Sequence, residues 1–258
     1  MSNVIRMWEL KQSATPNTLE LYIYGEVEPD VKNWWGEVLR SETSANHLRD
    51  ELASHPNVTQ INIYINSNGG SVFEGTAIYN QLKRHPAYKT VYVDGFACSI
   101  ASVVAMAGDT VIMPRNTMMM VHNMLMGVYG NAAELRKYAN DLDTITAAGR
   151  QAYLTKSNGK ISEEQLIELM DAETWLTAEQ CIAYGLADEY AEADADMADA
   201  TEVLKNANMR LEQRIKLHQS LTNQLRQLTD VPKLDTNPKP AEAGTDTPNK
   251  LMQLFEKL

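Results

Sequence analysis

"VTQINIYINSNGGSVFEGTAIYNQLKRHPAYKTVYVDG", residues 58–95, carries a complete strand–helix–strand signal. In "VTQINIYIN" the apolar Val58, Ile61, Ile63 and Ile65 alternate with polar residues, as a strand with one buried face requires. "GGSVFEGTAIYNQLKRHP" then changes period: Val72, Ile78 and Leu82 share one helical face, and Pro86 ends the run. "KTVYVDG" returns to strand. Two strands joined by a helical crossover pair in parallel, which points to an α/β fold.

The same alternation extends in both directions. "TLELYIYGEV" (18–27) is a strand that ends at Gly25, and "SETSANHLRDELASHPN" (41–57) is a helix stopped by Pro56. After residue 95 come an Ala-rich helix beyond Ser99, the strand "TVIMP", and the apolar strand "TMMMVHN". From Asn131 to about Ser157 one long helical pattern places Leu135, Tyr138, Leu142, Ile145 and Ala152 at three- and four-residue steps. Such a helix exceeds what one sheet needs for cover, so part of it is expected to pack on another subunit. "ISEEQLIELM" is a further helix; "LTAEQCIAYGLADEY" reads as helix, Gly185 stop and final strand.

At residue 188 the composition shifts. "DEYAEADADMADATE" packs seven carboxylates into fifteen residues, a solvated linker or helix surface. Leu204, Leu211, Leu221, Leu225 and Leu228 approach heptad spacing, but Asn208, Arg214 and His218 interrupt it. "VPKLDTNPKPAEAGTDTPN" has the composition of an unfolded segment, and "KLMQLFEKL" is a short amphipathic close. This gives an N-terminal segment 1–18, a core domain 19–190, and a flexible tail 191–258.

With 258 residues, 44% of them hydrophobic, the chain can bury one sizeable α/β core with an appendage. Its apolar runs are too short to span a bilayer, and the N-terminus lacks the apolar core of a signal peptide. Two cysteines, Cys98 and Cys181, make no disulfide framework and no metal-site spacing, which suits a reducing cytoplasmic setting. A net charge of −11 argues against nucleic acid as a partner.

Chemistry concentrates at "VYVDGFACSIASVVAMAG", residues 91–108. A strand ending at Gly95 and a helix starting near Ser99 raise that hydroxyl at a strand-to-helix turn. There it is either a helix cap or a nucleophile, with the Ile100 N–H beside it as an oxyanion donor. Ser102, one turn further in, reads as a packed small residue; Cys98 is an alternative nucleophile whose side chain points elsewhere. "INSNGGS" (65–71) brings bare backbone to the sheet edge, either as an ordinary turn or with the Gly70 N–H as a second oxyanion donor. No Gly-Lys-Ser/Thr follows, so it is not a Walker loop. Of the five histidines, His55 and His85 precede prolines, His47 lies on a charged helix and His218 in the tail. Only His122 ends an apolar strand, where it is either structural or a base facing Ser99. "MDAETWLTA" supplies Asp171 and Glu173 as the acids to orient it. The methionines at 118–126 read as core or subunit interface.

Together the segments "IYGEV", "INIYINSNGGSVFEGTAIYNQL", "DGFACSIAS", "MMMVHN" and "WLTAEQCIAYGLAD" resemble the proteolytic subunit of the Clp protease (the ClpP family). They look closest to the ClpP-like proteases of phages and prophages that act in head maturation. The resemblance runs from about Leu19 to Tyr190, in the family's order and spacing. It implies the ClpP/crotonase-like fold of repeated ββα units, with a long inter-subunit helix and homo-oligomeric rings.

Carried over by position, Ser99 matches the family's nucleophile, His122 its general base, and Gly70 and Ile100 its oxyanion donors. Glu173 stands where the family has Asp, with Asp171 as the rival. Asn68 stands where the family commonly has Pro. The implied activity is serine endopeptidase hydrolysis, ATP-independent or partner-dependent, with no metal or organic cofactor. Its implied substrates are phage capsid or scaffold proteins in the bacterial cytoplasm or the assembling head. Residues 1–18 lack the recognisable segment by which ClpP meets a Clp ATPase. Two other classes stay open: a crotonase-like acyl-thioester enzyme, and a catalytically idle assembly protein.

Overall fold

The computed structural model describes residues 8–12 and 17–193. Most of the N-terminal segment and nearly all of the tail lie outside the described residues. The elements run β1 (Trp8–Gln12), β2 (Thr18–Val27), β3 (Val31–Lys32), β4 (Val38–Leu39), α1 (Ala45–Ser54), β5 (Gln60–Gly70), α2 (Val72–Arg84) and β6 (Tyr88–Cys98). They continue with α3 (Ile100–Ala105), β7 (Thr110–Met113), β8 (Met118–Val121), α4 (Ala132–Ser157), α5 (Glu163–Asp171), β9 (Thr174–Thr177), α6 (Ala178–Ala183) and β10 (Glu189–Tyr190).

The fold is mixed α/β on a mostly parallel eight-stranded sheet. The order β1-β2-β5-β6-β7-β10 is parallel except at β1, which runs antiparallel to β2. β6 is shared between two partners along its length. Thr90–Tyr92 pair with β7, whereas Phe96–Cys98 pair with β8, and β9 adds antiparallel to β8. This fork brings the ends of β6 and β8 side by side, which positions the site.

The period-2 reading locates the core. Leu21, Ile63, Val91 and Val111 stand opposite one another across four strands and are buried. The alternate row on the other face holds Tyr22, Tyr64 and Tyr92, stacked with centroids 4.7 and 5.2 Å apart. α2 buries Ile78 and Leu82, and every residue of α3 is buried. Side chains close the helix starts: Ser44 caps α1, Ser71 caps α2, and Asn131 with Glu134 forms a capping box on α4.

Several boundaries differ from the sequence reading. β5 runs through the Gly-Gly pair, so those glycines end a strand rather than open a helix. β6 continues past Gly95 to Cys98, and β2 passes Gly25 with a register shift between Tyr24 and Glu26. Leu176 and Thr177 belong to β9 rather than to the following helix. A β-hairpin, β3–β4, exposing Trp34 and Trp35 at its tip, fills residues that the periodicity left unassigned. α4 is 26 residues long, as its pattern predicts, but its apolar stripe divides. Ala152 is buried and Leu142 and Ile145 pack against the core, whereas Leu135 is exposed.

Candidate active site

Sheet register builds the site. Cys98 stands opposite Met120, so Ser99 and His122 leave the ends of neighbouring strands together. Ser99 Oγ lies 2.7 Å from His122 Nε2. Ser99 itself occupies φ 55°, ψ −129°, a conformation that costs a non-glycine residue about 1–3 kcal/mol and persists only where its surroundings hold it. Its N–H donates to the Met120 carbonyl at 2.8 Å, which ties the turn to β8. Its side chain makes no capping hydrogen bond to α3, so the alternative of a simple helix cap is not what the hydroxyl does.

β5 meets this turn from the other side, with Ser67 opposite Ala97. At Gly69, φ is +94°, and a Cβ added there would lie 2.7 Å from Ser99 Cβ and 2.9 Å from the Cys98 carbonyl oxygen. The bare backbone is therefore required by Ser99 itself. Gly70, exposed at the strand end, has φ +144°, and a Cβ there would stand 2.2 Å from the Val27 carbonyl oxygen. Two polar residues before the glycines find partners: Asn66 Oδ1 accepts from the Phe96 N–H, and Ser67 Oγ donates to the Gly25 carbonyl and accepts from the Gly69 N–H.

His122 is partly buried, and its pKa lies below the ordinary imidazole value because burial disfavours the charged ring. The Glu173 carboxylate and a backbone hydrogen bond with Asn123 act in the opposite sense. Near neutral pH the ring is therefore uncharged. With its proton on Nδ1, Nε2 accepts the Ser99 O–H.

The two acids differ in their partners. β9 runs antiparallel to β8 and the ladder ends with Val121 opposite Thr174, so His122 and Glu173 are the residues that adjoin this last pair. Glu173 acts on the ring through its charge; among the described residues no hydrogen bond joins the two. Asp171 instead accepts a 2.7 Å hydrogen bond from Asn123 Nδ2.

Cys98 is removed as an alternative nucleophile. It is 3% exposed, packs with Phe96, Met118 and Met120, and its thiol is pushed up to about 12 by burial. Ser102 is fully buried as expected, but its hydroxyl is engaged with Ser99, Met120 and Tyr153. Neither Gly69 nor Tyr153 was singled out by the sequence. The signal for Gly69 lay in the doubled glycine, of which only the second was assigned a role.

A profile of the Clp protease family matches residues 40–194, the part of the chain that contains Ser99, His122, Glu173, Gly69 and Gly70. The chain belongs to the Clp protease family. It is similar to ATP-dependent Clp protease proteolytic subunit 1 of Streptomyces avermitilis, 32% identical over 162 residues, 60% of this chain and 73% of that protein. Proteolytic subunit 3 of Streptomyces coelicolor is also 32% identical, over 166 residues, 62% of this chain and 75% of that protein. The proteolytic subunit of Deinococcus radiodurans is 29% identical over 133 residues, 50% of this chain and 64% of that protein. Membership makes peptide-bond hydrolysis the chemistry against which the site is read. Among the described residues no helix is long and apolar enough to cross a membrane.

Proposed function

We propose that this chain is a ClpP-type serine endopeptidase with Ser99 as nucleophile and His122 as general base. The observation that carries the reading is the 2.7 Å contact between Ser99 Oγ and His122 Nε2 at a strained strand-to-helix turn. His122 takes the Ser99 proton as Oγ attacks the peptide carbonyl, then gives it to the leaving amine. Water releases the acyl group by the same route in reverse. The oxyanion donors are the N–H groups of Gly70 and Ile100. The neighbouring N–H groups of Gly69, Ser71 and Ser99 already donate to Ser67 Oγ, the Val27 carbonyl and the Met120 carbonyl. Glu173, whose charge raises the His122 pKa, favours the imidazolium that forms during attack.

The same reading assigns the ClpP/crotonase-like plan of repeated ββα units, with α4 as the inter-subunit helix of a homo-oligomeric ring. Leu125, Met126, Val128, Tyr129 and Leu135 expose apolar surface along the approach to α4 and its first turns, which supports that assignment. The phage-like motifs favour capsid or scaffold proteins as natural substrates, in the host cytoplasm or the assembling head. On this reading 19–190 is the protease domain and 191–258 an appendage to it. A crotonase-like thioester enzyme needs no hydroxyl held against an imidazole, so the Ser99–His122 contact favours the peptidase. The test is hydrolysis of an oligopeptide mixture by the full chain, without ATP. Cleavage that disappears in Ser99→Ala and His122→Ala is expected; cleavage that survives Ser99→Ala overturns the assignment.

A further inference from the structure

Tyr153 stands on α4, well beyond Ser99 and His122 along the chain, and is 1% exposed. Its hydroxyl lies 2.6 Å from Ser102 Oγ. Ser102 Oγ in turn donates to the Ser99 carbonyl at 2.6 Å and lies 3.4 Å from the Met120 carbonyl. These two carbonyls belong to the two arms of the site. One is the nucleophile's own; the other, two residues before His122, also accepts the Ser99 N–H.

A serine hydroxyl has one proton, and a buried tyrosine hydroxyl needs an acceptor for its own. If Ser102 gave its proton to Tyr153, the Ser99 carbonyl would lose this donor. With Tyr153 donating to Ser102, and Ser102 donating to Ser99, both protons are used. Direction therefore runs inward, from α4 to the catalytic turn.

Ser99 holds a backbone conformation that relaxes unless its surroundings fix it. The groups that fix it are the Met120 carbonyl on its N–H, and the Ser102 N–H and Ser102 Oγ on its carbonyl. Rotation about the Ser99 N–Cα bond toward a negative φ would turn the carbonyl and Cβ together and swing Oγ off Nε2, so bonds that hold the carbonyl oppose it. We propose that Tyr153 and Ser102 form a positioning relay that locks the Ser99 carbonyl and the end of β8 together, and so sets the Ser99–His122 contact. The effect on rate rests on the reading of Ser99 as nucleophile; the effect on geometry does not.

Tyr153→Phe removes only the outer hydroxyl, and Ser102→Ala removes the middle one from a different helix. The full-length variants and their double mutant would be compared in melting temperature, fluorophosphonate labelling rate, kcat and KM. Loss of a lock on near-attack geometry predicts a fall of roughly 10- to 100-fold in labelling rate and kcat, with KM nearly unchanged. The double mutant should be no slower than the slower single variant, because both cut one chain of hydrogen bonds. Lower melting temperatures with wild-type labelling rate and kcat would make the relay purely structural and overturn the proposal.

A second readout separates the two readings: the 15N shift of His122 Nε2, which reports its hydrogen bond to Ser99. If the wild-type protein does not label at Ser99, the peptidase reading fails. The relay is then decided by this shift alone. A change from the wild-type shift in either single variant supports it, and wild-type shifts in all three variants overturn it.

Discussion

Gly69→Ala is the substitution for which the structure makes the sharpest demand. The added methyl would lie 2.7 Å from Ser99 Cβ and 2.9 Å from the Cys98 carbonyl oxygen, at a position with φ +94°. Neither neighbour is the free end of a flexible side chain. The backbone conformation alone costs about 1–2 kcal/mol for an L-residue, and forcing extra volume into a packed site costs about 1–3 kcal/mol more. The sum, about 2–5 kcal/mol, corresponds to a melting-temperature fall of about 5–15 °C for a domain of this size.

The chain can shed part of that cost only by pushing Ser99 away. A displacement of about 1 Å at a reacting atom costs roughly 100-fold in rate. Gly69→Ala should therefore lose stability and fluorophosphonate labelling together. Gly36→Ala is the control: φ is +82° there too, but nothing lies within 4 Å of the added carbon, so it incurs only the backbone cost. It should label at the wild-type rate. A Gly69→Ala protein with wild-type labelling and a melting temperature equal to that of Gly36→Ala would refute the close approach of β5 to Ser99.

The remaining predictions concern the acid and the assembly. Burial lowers the His122 pKa and Glu173 raises it, so the acidic limb of the labelling rate should fall below the ordinary value of 6.5. Removing the carboxylate in Glu173→Gln removes the raising influence, so that limb should move to still lower pH as the rate falls. Asp171→Asn should leave the limb in place, and the reverse pattern would exchange the two acids. For assembly, Leu142 packs against the chain's own core, so a charge there confounds folding with association; Leu135 is exposed and is the better probe. Leu135→Glu should reduce the mass seen by light scattering with little change in melting temperature. An unchanged mass would remove the first half of α4 from the subunit interface.

Elements with a buried face were legible because burial imposes a period: the alternation of Ile61, Ile63 and Ile65 and the helical spacing of Ile78 and Leu82 both reappear as core. Strand ends were not. Asn66, Ser67 and the glycines look like a turn in sequence. Their side chains are satisfied across the sheet, by Phe96 and Gly25, so polar residues extend β5 without penalty. β9 was hidden because Thr177 and Gln180 form the capping box of α6, a signal that reads as helix one residue before the helix begins. The β3–β4 hairpin is too short and exposed to show any period.

In the candidate site, Ser99 and His122 stood out because each breaks an apolar run at a strand end. Gly69 and Tyr153 did not, since their importance lies in contacts that only the register of β5 and the packing of α4 create. What bears on Asp171 and Glu173 was likewise hidden in the sequence: Asp171 is hydrogen-bonded to Asn123, and Glu173 follows from the last β8–β9 pair, Val121 with Thr174.

The central claim is that Ser99 is an activated nucleophile, and covalent labelling tests it most directly. The full-length protein would be treated with a fluorophosphonate at neutral pH and its modified peptide sequenced by mass spectrometry. A single adduct on Ser99, absent from the Ser99→Ala and His122→Ala proteins, is the predicted result. An adduct on Ser102, or undiminished labelling of Ser99 in the His122→Ala protein, would contradict the account.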